Sequence, residues 1–115
     1  MTTEQFRRLA LSLPEAEKQE HMGHPDFRVR GKIFATVAYP EEGWAMVKLT
    51  PEQQQAWVRA EPEIFVPVKG GWGRGGATNI RLRPATRTKI WEALETAWRN
   101  AAPKSLIGAE GTPKD

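Results

Sequence analysis

Five of the seven residues from 70 to 76 are glycine, with only Trp72 and Arg74 set among them. Glycine reaches backbone conformations and close approaches that a Cβ forbids. It also weakens the interior of any helix or strand. The flanking runs, Phe65–Val68 and Thr78–Arg83, therefore read as separate strands meeting across a glycine-rich connection. The glycines predict a flexible tip that presents one indole and one guanidinium. Such a tip suits a flat or anionic partner and points to a binding surface rather than a catalytic centre.

The rest of the chain alternates between two periods. Thr2 and Gln5 have capping-box spacing, and Phe6, Leu9 and Leu13 follow helical periodicity, so the sequence predicts a helix over 3–12 that Pro14 stops. Glu15–Met22 reads as a polar edge strand. Phe27–Arg30, Ile33–Tyr39 and Trp44–Leu49 read as three further strands, joined by turns at Gly31-Lys32 and Pro40–Gly43. Thr50, Pro51 and Gln53 open a second helix running to about Ala60. Pro67 places the strand Ile64–Val68 at an edge or bulge. Ile80 and Leu82 alternate with Asn79, Arg81 and Arg83, as in a half-buried strand. The stripe Ile90, Leu94, Ala97 and Ala101 predicts a last helix from about Pro84, with Trp91 and Trp98 beside it.

This order, α-β-β-β-β-α-β-β-α, predicts a two-layer α+β domain, with helices packed on one face of an antiparallel sheet and the other face open. Residues 1–104 form one domain, and 105–115 read as a mobile C-terminal tail. No internal repeat is visible. A chain of 115 residues can hold one core but is small for an enzyme with a deep cleft. No apolar run reaches the roughly 18–20 residues that span a bilayer, and Glu4, Arg7 and Arg8 interrupt any leader-like stretch. The expectation is a cytoplasmic protein. The absence of cysteine excludes disulfides, thiolate metal sites and cysteine nucleophiles.

Several motifs occur in an order that resembles the YjbR/MmcQ family. They are Gly23-His24-Pro25-Asp26-Phe27-Arg28-Val29, then Gly31-Lys32-Ile33-Phe34-Ala35, then Trp44 with Val47-Lys48-Leu49 and Phe65-Val66-Pro67-Val68. The loop Gly71-Trp72-Gly73-Arg74, the strand Thr78–Leu82, and Ala97-Trp98-Arg99 with Ala102-Pro103-Lys104 complete the match, which covers roughly residues 3–106. The resemblance implies a CyaY-like α+β fold and a DNA-binding role with a double-wing arrangement of hairpins. It implies no reaction.

Charge and strand parity lead to the same surface independently. Residues 66–104 carry eight Lys/Arg against two Asp/Glu, whereas residues 1–65 carry eight against ten. If Phe27, Val29, Val47, Leu49, Ile80 and Leu82 face the helices, then Arg28, Arg30, Lys48, Arg81 and Arg83 face outward. Lys69, Trp72 and Arg74 then lie at the rim. Arg pairs bidentately with phosphate, and an exposed indole stacks on a base. These eight residues are the candidate nucleic-acid site, and the family resemblance implies DNA rather than RNA as its ligand. Nothing resembles a groove-reading helix, so sequence specificity should be weak.

Competing readings use the same residues. The arginines can pair with acids such as Glu17 or Glu20 in cross-strand ladders, and Trp72 can fold back over the core. Trp44, Trp57, Trp91 and Trp98 read as core or half-core aromatics, with Trp44 the best candidate for an additional stacking surface. The same face could instead receive an acidic protein partner or a small anion. Glu15, Glu17, Glu20, His21, His24 and Asp26 could hold a divalent metal, but their spacing matches no closed motif and a solvated edge is the simpler account. No cofactor is expected. The glycine loop lacks the Gly-x-x-x-x-Gly-Lys-Ser/Thr pattern, and neither Ser12 nor Ser105 suits a nucleophile. The chain reads as a non-enzyme.

Overall fold

The computed structural model describes residues 1–21, 23–38 and 41–110. The expected strand ends at Met22 and Tyr39, the turn position Pro40 and tail residues 111–115 lie outside them. Helix α1 spans Thr3–Leu11, and its capping box between Thr2 and Gln5 is fully formed. Four strands follow: β1 (Ala16–His21), β2 (His24–Val29), β3 (Lys32–Val37) and β4 (Trp44–Lys48). Helix α2 (Pro51–Ala60) starts at a second capping box, with Thr50 and Gln53 as partners and Pro51 in the first turn. Next come β5 (Phe65–Pro67), the single turn α3 (Gly71–Arg74), β6 (Ala77–Arg81), α4 (Arg87–Ala101) and α5 (Lys104–Glu110).

The six strands form one antiparallel sheet in the order β1-β2-β3-β4-β6-β5. The polar strand β1 and the proline-bearing β5 are its edges, as their sequences predict. Pro25 lies within β2, yet the β2–β3 ladder begins only at Asp26, so its missing N–H leaves no gap there. A bulge between Phe27 and Arg28 adds one residue to β3 and buries both Phe34 and Ala35.

Period-2 alternation fixes the layering. Phe27, Val29, Ala35, Val37, Ala45, Val47 and Ile80 point to one side and are buried there with α1 and α4. From α4 come Ile90, Ala93, Leu94, Ala97 and Trp98, and from α1 come Phe6, Leu9 and Ala10. The buried Trp98 keeps its polar atom satisfied, Nε1 donating to the Pro14 carbonyl at 2.9 Å. Trp57 packs obliquely on Phe65, with centroids 5.3 Å apart. The fold is the expected two-layer α+β arrangement, with the second sheet face uncovered.

Three expectations need correction. The glycine-rich connection is not an open flexible tip but contains the helical turn α3. Helix α4 begins at Arg87 rather than Pro84, because Thr86 caps it by accepting from the Lys89 N–H, while residues 82–84 form a turn. Residues 104–110 are helical, and Leu106 and Ile107 pack against the core where a mobile tail was expected. Among the described residues no helix is long and apolar enough to cross a membrane.

Candidate functional site

The open face of the sheet is concave and forms a groove of about 1160 Å³. One cross-strand row crosses its floor: Asp26, Thr36, Met46, Asn79 and Val66, one residue from each of β2, β3, β4, β6 and β5. On β4 the floor residue Met46 lies between Trp44 and Lys48, which share its parity. Those two positions are about 13 Å apart along an extended strand.

Each of them is half of a cation–aromatic pair. Lys48 Nζ lies 5.0 Å from the Trp72 ring centroid. Arg81, opposite Trp44 in the ladder, holds its Cζ 5.1 Å from the Trp44 centroid. Arg81 is steadied further by long hydrogen bonds to the carbonyls of Pro62 and Glu63, at 3.5 and 3.4 Å. Contacts of this kind contribute roughly 0.5–1 kcal/mol at exposed sites. Their larger consequence is placement, because each indole stands at the groove beside a positive charge. Trp72 is 54% exposed and has not folded back over the core.

The glycine-rich connection is built to hold Trp72 there. Val68 N–H donates to the Ala77 carbonyl, which extends the β5–β6 pairing past Pro67. Gly73 and Gly76 sit where a Cβ would overlap the carbonyls of Val68 and Leu49, and Gly76 has φ +115°. The buried carboxamide of Gln54, on α2, donates to the carbonyls of Gly73 (3.0 Å) and Ala77 (2.9 Å). The Thr78 hydroxyl donates to the Gly76 carbonyl at 2.8 Å. These bonds clamp both ends of the turn that carries the indole.

The eight candidate residues separate into groups. Lys69 and Trp72 line the groove, Lys48 lies over Trp72 beside it, and Arg81 lies over Trp44 at its end. Arg74 is exposed at the end of α3 and does not line the groove. Arg28 does face the groove, but its guanidinium donates to both oxygens of Asp26, at 2.9 and 3.2 Å. That hydrogen-bonded pairing raises the Arg28 pKa above its ordinary value. Arg30 falls outside the face, because the chain leaves the strand at Val29 and Arg30 adopts a left-handed turn with φ 50°. There it forms an ion pair with Glu15, whose carboxyl is held below its usual range chiefly by that hydrogen bond. Arg83 is exposed in the turn after β6 and does not line the groove. The expected array of five cations is therefore smaller, and two of its arginines are neutralised by acids.

The acidic edge disperses in the same way. Glu15 is committed to Arg30, Asp26 to Arg28, and Glu20 lies 3.8 Å from Lys18. Among the described residues no three His, Cys, Asp or Glu side chains come together as a metal site. Sequence reasoning set Asp26 in the acidic edge rather than beside Arg28 on the open face, although the two share parity, and it missed Gln54. A glutamine one position beyond the Gln53 capping residue carries no pattern that marks it as a loop clamp.

The chain resembles known proteins at two levels. A family model for YjbR matches residues 11–100. Protein DR2400 of Deinococcus radiodurans, a solved structure with a DUF419 domain, superposes with a TM-score of 0.70 at 16% identity, over 98% of this chain and 83% of that one. No curated protein matches. The structural likeness speaks for the fold alone, whereas the family model spans most of the domain, and on that match the chain belongs to the YjbR family.

Proposed function

We propose that this protein is a cytoplasmic, non-enzymatic nucleic-acid-binding domain, for DNA rather than RNA, and that it binds through the open groove. The observation that carries the reading is the pair of tryptophans at the groove, each beside its own cation: Trp44 with Arg81 and Trp72 with Lys48. Base–aromatic stacking contributes roughly 1–3 kcal/mol per base, and a cation beside the ring meets the phosphate attached to that base. Lys69 adds a further positive charge at the groove, and Met46, Ile33 and Val66 supply an apolar floor.

The test is a fluorescence-anisotropy titration with labelled DNA at ~50 and ~200 mM salt, spanning the range in which phosphate contacts are screened. The reading expects affinity to fall steeply with salt, with quenching of tryptophan emission. Salt-independent affinity, or no binding at the lower salt, would contradict it. The apolar floor also favours a second reading, an acidic protein segment seated in the groove. A stoichiometric protein partner that resists nuclease treatment would support that alternative.

A further inference from the structure

Resting on the nucleic-acid reading, we infer that the groove takes single strands with their bases turned inward and their phosphates at the rim, and excludes intact duplex. The first reason is the placement of charge. Lys69 lines the groove and Lys48 and Arg81 stand beside its tryptophans, whereas its floor carries the Asp26 carboxylate, only 4% exposed. Arg28, beside that carboxylate, is already bound to it through two hydrogen bonds. The pair is neutral overall, so a phosphate entering there would gain less than beside the rim cations, which no acid among the described residues neutralises.

The second reason is Asn79. It lies in the floor row between Met46 and Val66, and its carboxamide makes no hydrogen bond to another described residue. A carboxamide presents a donor and an acceptor side by side, which matches the adjacent donor and acceptor on a base edge. In a duplex the pairing edges are consumed and the ring faces are stacked on one another. Neither Asn79 nor the two indole faces could then be used. Unpaired bases that splay from the backbone offer both.

The experiment compares three labelled ligands on the full chain by anisotropy: a short single strand, the same sequence as a duplex, and an abasic single strand of equal length. The expected result is single-strand affinity roughly tenfold or more above both others, the gain that one or two stacked bases give. Asn79→Ala, checked for folding by circular dichroism, should weaken the single strand several-fold and leave the abasic ligand unchanged. Duplex binding as tight as single-strand binding would overturn the inference while leaving the nucleic-acid reading intact, as would an abasic strand binding as well as the natural one. Failure of all three ligands to bind at low salt would remove the nucleic-acid reading itself.

Discussion

Gln54 shows how much of the site depends on one side chain that touches no ligand. Its carboxamide spans from α2 to the carbonyls of Gly73 and Ala77, and it is buried. Gln54→Ala removes both bonds, while the carbonyls keep their backbone donors, Gly76 N–H and Val68 N–H. At roughly 0.5–1.5 kcal/mol per bond the loss is about 1–3 kcal/mol, which chemical denaturation would read. DNA affinity should fall with it, because Trp72 loses its support. Trp72→Ala should separate the two effects. The side chain is 54% exposed, so stability should hardly change, while affinity drops by roughly 1–3 kcal/mol. Asp26→Asn probes the opposite sign. With the acid neutralised, Arg28 becomes available to a phosphate, and the salt dependence should steepen by roughly one contact. An unchanged slope would remove Arg28 from the interface. Parity along Phe27–Val29 did place Arg28 on the open face, but its partner sits two residues back on the same strand, where a search for cross-strand acids does not look.

At the scale of elements, the capped helices and the alternating strands were legible because their causes are local. Thr2 with Gln5 and Thr50 with Gln53 close their boxes within single turns of chain. Turn α3, the left-handed bend at Arg30 and the packed helix α5 were not legible. Each depends on a partner distant in sequence or on a strand end that periodicity does not mark. Gly76→Ala tests the loop directly, since the added Cβ would strike the Leu49 carbonyl at a positive φ. A loss of at least about 1–3 kcal/mol is expected, and a neutral result would contradict the close approach.

Helix α2 is also tied to α4 by an ion pair between Glu61 and Lys89, at 2.7 Å. The hydrogen bond to Lys89 holds the Glu61 carboxyl below its usual 4.5, and Arg partners do the same for Glu15 and Glu4. A depressed carboxyl stabilises the fold above its unfolded pKa and ceases to do so as pH falls through the folded value. Stability should therefore decline below about pH 4.5, and Glu61→Gln should make that decline shallower. The raised pKa of Lys89 places the loss of its contribution above 10.5, so the pair is intact across the neutral range.

The whole molecule divides its labour between two faces of one sheet. The helices cover one face with a continuous apolar core, and the other face is left as a groove bordered by Trp44 and by the clamped Trp72. Five tryptophans are spread across this arrangement, which makes the molecule its own reporter. Trp98 is buried and Trp57 leans on Phe65, while Trp44 and Trp72 alone among the five line the groove. The central claim is that nucleic acid occupies the groove. Indole N–H resonances followed by NMR during titration with a short single-stranded DNA test it most directly. The account predicts that the Trp44 and Trp72 signals shift together and saturate, while those of Trp57, Trp91 and Trp98 stay in place. Shifts confined to the latter three, or no shift in any indole at saturating DNA, would contradict it.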